Sequence, residues 1–241
     1  MKFNLCVFLT FALFLLKTPV LFAQGDVQLY LKNVKEELKK EWPKNKTINL
    51  VFHGHSVPSG YFNTPNVNTL QTYPYLLLKE LKRIYPYAVI NVIVTAIGGE
   101  NSLSGQKRFE NDVLIYKPDV LFIDYALNDR VIGLEKAREA TEKMITAAKE
   151  RGIKVILVTP SPDQRVDMLK PGNELEKFSD QLISLSKKYD VGLADGYKQF
   201  LLKAQSAEGI KPYMSWVNHP NEKGHQLIAG EILKWFVDSL F

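Results

Sequence analysis

The sequence DVLFIDY at residues 119–125 is followed by an Ala/Glu/Lys-rich stretch at residues 135–151 and then by KVILV at residues 154–158. The two short runs are mainly apolar, which is typical of strands buried on both faces of a sheet. The longer stretch between them has the composition of a helix. A strand, a helix and a second strand in this order form a βαβ unit with parallel strands. These residues therefore predict an α/β fold with a parallel sheet.

The same alternation continues in both directions along the chain. Three more strands are predicted at residues 47–52, 88–94 and 191–194, and further helices at residues 26–42, 70–84, 174–189 and 220–240. We therefore expect five parallel strands covered by helices on both faces, in a single domain over residues 24–241. Two irregular stretches, residues 57–68 and 161–173, follow strands, so we expect them to wall a ligand crevice at the carboxyl edge of the sheet.

Composition and net charge indicate the general class of protein and exclude one kind of partner. The chain has 241 residues, of which 46% are hydrophobic and 24% charged, as is ordinary for a globular protein. The formal net charge of +5 includes Lys2 and Lys17, so it is +3 without residues 1–23, which is too small a charge to predict nucleic-acid binding.

The first 23 residues have the layout of a secretory signal peptide. Lys2 precedes an apolar run at residues 3–16, and the small residue Ala23 stands at the expected cleavage position. The run is shorter than the roughly 20 residues that span a bilayer, so we expect an exported, bacterial-type protein without a membrane span; an uncleaved anchor is the alternative. The only cysteine, Cys6, lies inside this segment, so neither a disulfide nor a lipid at the cleavage point is expected.

Reactive and polar side chains gather in four short segments that follow predicted strands or precede the last helix. They are residues 53–56, 98–102, 127–129 and 218–221. In a parallel sheet these segments meet at one edge, where a serine, a histidine and amide donors would share a cleft. A hydroxyl nucleophile, a base and hydrogen-bond donors for an oxyanion are the groups that acyl transfer requires.

At these segments the sequence resembles the SGNH (GDSL) hydrolases, whose four signature blocks occur here in order. The Gly-Asp-Ser block corresponds to Gly54-His55-Ser56, and the second block to residues 96–99. The Gly-x-Asn-Asp block corresponds to residues 126–129, and the Asp-x-x-His-Pro block to residues 216–220. Each block is weak alone, but four in order at α/β spacing make a specific match that covers most of the chain.

The resemblance implies a flavodoxin-like, three-layer α/β/α sandwich and a serine esterase that needs no metal and no cofactor. It makes Ser56 the nucleophile and His219 the general base. It assigns the oxyanion hole to the N–H groups of Ser56 and Gly99 and to the side-chain amide of Asn128, and leaves Asp129 a structural role.

Within this family, an O-acetyl group on a carbohydrate is the substrate we expect. A lipid or lysophospholipid acylhydrolase, and a carbohydrate-binding protein that has lost catalysis, are the alternatives. The sequence gives no oligomeric state.

Two positions depart from the family pattern. His55 replaces the usual aspartate beside the nucleophile, and Trp216 occupies the position of the triad acid, three residues before His219. Three readings remain: a Ser-His dyad whose imidazole is oriented by a main-chain carbonyl, a displaced acid at Asp195, or a weakened enzyme.

The pair His53 and His55 raises a rival hypothesis, a metallohydrolase. Two histidines separated by one residue on a strand point to the same face, which is a common beginning of a metal site. However, His225 does not share a helical face with His219, and residues 42–79 contain no aspartate or glutamate. Resistance of the activity to chelators would separate the serine esterase from the metalloenzyme.

Overall fold

The computed structural model of the protein describes residues 26–238. The predicted signal peptide at residues 1–23 lies outside the described residues. Five strands form one parallel sheet in the order β2-β1-β3-β4-β5, so the predicted number and direction of the strands are confirmed. The strands are β1 Thr47–Gly54, β2 Val89–Val94, β3 Val120–Asp124, β4 Lys154–Val158 and β5 Gly192–Ala194.

Helices cover both faces of this sheet. They are α1 Lys32–Leu38, α2 Ser56–Ser59, α3 Tyr73–Ile84, α4 Ser102–Asp112, α5 Leu134–Lys149, α6 Glu174–Tyr189, α7 Gly196–Gln205 and α8 Glu222–Leu233. In β1, Leu50 and Phe52 pack under α1, α3, α7 and α8, whereas Val51 packs under α4, α5 and α6. This alternation gives the expected three-layer α/β/α sandwich. No helix within residues 26–238 has both the length and the hydropathy needed to cross a bilayer.

The strand order determines where on the sheet the candidate site lies. The chain winds outward from β1 to β2 on one side and from β3 to β5 on the other, so the winding direction reverses between β1 and β3. In doubly wound sheets, ligands bind in the crevice at the carboxyl ends of the two strands that flank this reversal. Ser56 follows β1 directly and Asn128 follows β3, so both lie at this point.

Besides the short helix α2, two longer helices, α4 and α7, are absent from the prediction. Both begin with a polar cap, because Asn101 accepts a hydrogen bond from Ser104 N and Asp195 accepts one from Lys198 N. In α4 the buried stripe is Ser102, Gly105 and Phe109, so its spacing is helical but two of its members are not hydrophobic. A search for apolar periodicity therefore misses it.

Helix ends also differ from the prediction. The first predicted helix, residues 26–42, is helical only at Lys32–Leu38, and the last, predicted over 220–240, is helical at Glu222–Leu233. Asn221 caps the last helix and fixes its start, since its side chain accepts a hydrogen bond from Gly224 N. The stretch at residues 57–68, predicted to be irregular, begins with most of the short helix α2.

Phe122 lies at the centre of the molecule. Its side chain is fully buried in the middle of β3, and its ring stacks on Phe52 of β1 with the centroids 4.2 Å apart. Phe122→Ala is expected to lower the free energy of unfolding by about 3–5 kcal/mol, because it removes buried apolar surface and leaves a cavity. Urea denaturation measures this loss.

Ile115→Ala is the matched control, since Ile115 is 61% exposed and its truncation should change stability by no more than about 0.5 kcal/mol. Equal effects of the two substitutions would contradict the described core.

Candidate active site

Ser56 lies at a sharp turn between β1 and α2. The turn requires glycine at position 54, because a Cβ there would lie 2.4 Å from the carbonyl oxygen of Asp124. β1 ends at Gly54 and α2 begins at Ser56, so one residue separates strand from helix. Ser56 is buried except for a small exposed fraction and lies at the carboxyl edge of the sheet.

His55 supplies the cap that this helix needs. Its Nδ1 accepts a hydrogen bond from Val57 N at 3.3 Å, and its Nε2 lies 3.3 Å from Asp124 Oδ1. Tyr73 donates its hydroxyl proton to the other oxygen of Asp124 at 3.0 Å. The imidazole thus provides the acceptor that a short acidic side chain can provide at a helix N-terminus, which gives a physical reason for tolerating histidine at this position.

The expectation that His53 and His55 point to the same face is wrong. His53 belongs to β1 and contacts Thr95 and Tyr125 on one side of the sheet, whereas His55 has left the strand and contacts Asp124. Within residues 26–238 no three His, Cys, Asp or Glu side chains are grouped as a metal site requires.

His219 lies between Ser56 and the backbone of Phe62. Its Nε2 lies 2.9 Å from Ser56 Oγ, and its Nδ1 lies 2.9 Å from the carbonyl oxygen of Phe62. A carbonyl oxygen can only accept, so the proton is assigned to Nδ1 and the lone pair of Nε2 faces the serine hydroxyl. Burial lowers the pKa of His219 below its ordinary value, partly offset by the bond to Phe62, so the ring is neutral at pH 7 and able to accept a proton.

No carboxylate among the described residues forms a hydrogen bond or an ion pair with His219. Trp216, at the position of the usual acid, is about half exposed. Asp195 caps α7 and accepts a hydrogen bond from Thr159 Oγ1 at 3.1 Å. Its carboxylate forms no hydrogen bond with His219, whereas the displaced-acid hypothesis requires one. The contact at Nδ1 is the one that the dyad reading requires.

The carbonyl of Phe62 is itself held in place. Phe62 N donates to Asn66 O at 3.0 Å, and the Phe62 ring stacks on His225 with the centroids 5.2 Å apart. His225 is fully buried and accepts a hydrogen bond from Tyr73 N, and burial lowers its pKa to about 3. His225 is therefore a neutral core residue.

Two of the three expected oxyanion donors, Gly99 and Asn128, lie on the loops that follow β2 and β3, and the third is Ser56 itself. Gly99 has φ of +80° and lies in a turn closed by the hydrogen bond from Glu100 N to Ile97 O. This conformation favours glycine at the third turn position, and it leaves the Gly99 N–H outside the turn's own hydrogen bond. Asn128 Nδ2 donates one proton to Glu100 O at 2.9 Å, which leaves its second proton for a ligand.

Asp129 connects the loop that follows β3 to the segment that follows β2. Its Oδ1 accepts a hydrogen bond from Ser102 N at 2.7 Å. Burial raises the pKa of Asp129 to about 6, opposed by the hydrogen bond from Ser102 N. This contact fits the structural role expected for Asp129.

Sequence reasoning missed two contributors to the site, Phe62 and Tyr61. The Phe62 contribution is a backbone carbonyl, which every residue possesses, so no side-chain signal could have indicated it. The Tyr61 ring lies 6.2 Å from the His219 ring, and a Cβ on Gly98 would lie 3.1 Å from it. Tyr61 therefore forms a wall between the histidine and the Gly98-Gly99 loop.

A comparison with known protein families agrees with the four sequence blocks and with the fold. The sequence model described as "GDSL-like Lipase/Acylhydrolase family" matches residues 52–227. This match covers most of the chain and includes all four blocks, and the chain belongs to this family.

The individual proteins that are similar to this chain have low sequence identity to it. The "Uncharacterized lipoprotein YqeF" of Bacillus subtilis (strain 168) is 28% identical over 138 residues, which cover 46% of this chain and 57% of YqeF. A two-domain esterase (CEX) active on acetylated mannans has a TM-score of 0.69 at 22% identity, covering 89% of this chain and 54% of that chain. The chain thus spans little more than half the length of either protein.

A third similar protein is Axe2, an acetylxylan esterase from Geobacillus stearothermophilus. It has a TM-score of 0.68 at 19% identity, covering 78% of this chain and 94% of that chain. At these identities the two solved structures establish the shared fold.

The geometry predicts how the reactivity of Ser56 depends on pH. A protonated imidazole cannot accept the serine proton, so labelling of Ser56 by a fluorophosphonate should slow as pH falls through the pKa of His219. Because burial lowers that pKa, the half-maximal rate should lie below pH 6.5. Labelling rates followed by mass spectrometry between pH 4 and 9 give this profile.

His219→Asn is the control, and its labelling should be slow at every pH. A half-maximal rate above pH 7, or a profile that survives in His219→Asn, would contradict the assigned pair.

Proposed function

We propose that the protein is a serine esterase that works with a Ser56–His219 dyad, the imidazole being oriented by the main-chain carbonyl of Phe62. The observation that carries this proposal is the pair of 2.9 Å contacts at the two nitrogens of His219, one to Ser56 Oγ and one to Phe62 O. Nucleophile, base and orienting group stand in the order that serine hydrolases use.

In the proposed reaction, Ser56 Oγ attacks the acyl carbon while its proton moves to His219 Nε2. The tetrahedral intermediate collapses, the bond to the alkoxide breaks, and His219 returns the proton to the leaving oxygen. Water then attacks the acyl-serine while His219 Nε2 takes its proton; the bond between the acyl carbon and Ser56 Oγ breaks, His219 returns the proton to Oγ, and the carboxylic acid leaves. Every proton is carried by Nε2, while Nδ1 stays bonded to the carbonyl oxygen of Phe62.

The oxyanion hole is proposed to consist of the N–H groups of Ser56 and Gly99 and one N–H of Asn128. These donors would bind the charge that appears on the carbonyl oxygen as it becomes tetrahedral. Such donors act mainly on the transition state, so they raise kcat more than they lower KM.

The substrate class is proposed to be small acyl esters, and O-acetyl groups on carbohydrate in particular. Two proteins of the same fold support this choice, one active on acetylated mannans and one an acetylxylan esterase. A lipid acylhydrolase is the second candidate, which the description of the matched family favours.

We also propose that residues 1–23 direct export and that residues 24–241 form one catalytic domain. The apolar run after Lys2 supports the first point, and the lipoprotein name of the Bacillus relative agrees with an envelope or secreted location. The single described sheet supports the second point.

A substrate panel tests the function. Nitrophenyl esters from C2 to C12, acetylated mannan and xylan oligosaccharides and a lysophospholipid are compared by initial rates. We expect hydrolysis of acetyl esters, and Ser56→Ala should retain less than about 0.1% of it, as loss of a nucleophile does in serine hydrolases.

Ser59→Ala is the matched control, because Ser59 lies one helical turn away and its hydroxyl bonds only His55 O. It should remain active. Activity in Ser56→Ala would indicate another nucleophile, and preference for C8 to C12 esters or the lysophospholipid would select the lipid function.

The second test asks whether Asp195 acts as the acid of a catalytic triad. Loss of a triad aspartate lowers kcat by about 10⁴-fold, whereas Asp195→Asn should leave kcat within about tenfold of wild type, because Asn can still cap α7. Steady-state kinetics on an acetyl ester measure this ratio. A loss of 10³-fold or more in a folded Asp195→Asn protein would overturn the dyad and restore the displaced acid.

A further inference from the structure

A buried polar cluster lies under the loop that carries Gly99. Its members are Glu100, Arg108, Tyr125, His53 and Thr95. Glu100 and Arg108 have only 9% and 17% of their side chains exposed, although each carries a charge. Buried charges are rare unless they are paired, and the mechanism proposed above uses none of these side chains.

Glu100 is held by three donor contacts. Arg108 donates hydrogen bonds to the Glu100 carboxylate from two nitrogens. Its Nε lies 2.8 Å from Oε1, and its Nη2 contacts Oε2. Tyr125 donates its hydroxyl proton to Oε2 at 2.8 Å. A two-point contact between arginine and a carboxylate fixes orientation as well as distance, so the position of Glu100 is tightly defined.

The cluster is anchored to the sheet on its other side. Arg108 Nη2 donates to Thr95 O at 2.7 Å, immediately beyond β2. His53 of β1 lies 3.0 Å from Thr95 Oγ1 through Nδ1 and 3.1 Å from the Tyr125 hydroxyl through Nε2. Burial and the charge of Arg108 lower the pKa of His53 to about 4, so the ring is neutral and adds no second positive charge beside Arg108.

Both distant oxyanion donors depend on this one residue. Glu100 follows Gly99 directly and closes its turn through the bond from Glu100 N to Ile97 O. The carbonyl oxygen of the same residue accepts the hydrogen bond from Asn128 Nδ2 at 2.9 Å. The Glu100 side chain is thus fixed by Arg108 and Tyr125, while its backbone fixes Gly99 and Asn128.

We propose that Glu100 is the positioning residue of the oxyanion hole, locked by Arg108 and Tyr125 so that the Gly99 N–H and the Asn128 amide converge on one point. This proposal rests on the proposed esterase function. Releasing Glu100 would misplace both donors while leaving Ser56 and His219 in contact. Misplacement by about 1 Å costs up to roughly 10²-fold in rate, and the loss falls on the transition state.

The test compares Glu100→Gln with wild type on p-nitrophenyl acetate. We expect kcat to fall by about 10–100-fold with KM within about threefold. The inhibition constant of phenylboronic acid, whose adduct on Ser56 mimics the tetrahedral intermediate, should rise in parallel. Arg108→Lys and Tyr125→Phe keep the Glu100 carboxylate. Tyr125→Phe removes one contact to it, and Arg108→Lys removes the two-point contact but keeps the positive charge, so both should show smaller losses of the same kind.

Glu110→Gln is the matched control. Glu110 lies on the same helix as Arg108 and pairs with Arg151 in an exposed contact remote from the loop, so all three kinetic values should be unchanged. Thermal unfolding shows whether each variant is folded; if Glu100→Gln does not fold, Arg108→Lys and Tyr125→Phe carry the test.

A double variant separates positioning from general destabilisation. With Asn128→Ala already present, Glu100→Gln should cost much less than in wild type, because one of the two donors that it positions is gone. Multiplicative losses, or kcat unchanged in folded variants, would overturn the positioning role. A wild-type protein that does not hydrolyse the ester would instead overturn the proposed function, so the two failures are distinguishable.

Discussion

The geometry of the site depends on the hydrogen bond between His219 Nδ1 and the carbonyl oxygen of Phe62. Because a carbonyl cannot donate, it selects the tautomer whose free lone pair faces Ser56. The ring is thereby oriented without a hydrogen bond or ion pair to any carboxylate of the described residues. A carbonyl carries a dipole and no net charge, so it stabilises the imidazolium less than an aspartate would. The site is arranged for a base whose charged form receives modest support.

This single bond is connected to the nucleophile through the core. The Phe62 ring stacks on buried His225, and His225 accepts a hydrogen bond from Tyr73 N. The hydroxyl of Tyr73 reaches Asp124, which lies against His55, the cap of the helix that begins at Ser56. One continuous set of buried contacts therefore connects the loop beside His219 to the turn that carries Ser56.

Much of this structure could be predicted from the sequence. The apolar strands, with Phe122 as an example, indicated their direction and number because burial on both faces leaves a readable pattern. Four motif blocks located Ser56, Gly99, Asn128 and His219 at one edge. The helix from Ser102 was missed because its buried stripe contains serine and glycine, and with it the cluster around Arg108 was missed.

Other features leave no trace in a single sequence. The orienting group of His219 is a main-chain carbonyl, and its place depends on the path of the loop through Phe62. The interpretation of Asp195 as a possible acid followed from its position after β5, yet its side chain is committed to capping α7. Position along the chain predicts which edge a residue occupies, whereas its partners depend on loop geometry.

The distribution of buried carboxylates follows from the same constraint. Among the described residues no carboxylate pairs with His219, whereas Asp124 lies beside His55 at the turn before Ser56 and Glu100, next to Gly99, pairs with Arg108. If the imidazolium is only weakly stabilised, more of the transition-state stabilisation must come from donors that meet the oxyanion, and such donors work only when they are fixed before the reaction. Ester cleavage, whose alkoxide leaves more readily than an amine, suits this arrangement. On the proposed dyad, the pair of Glu100 and Arg108 beside Gly99 would supply this fixation.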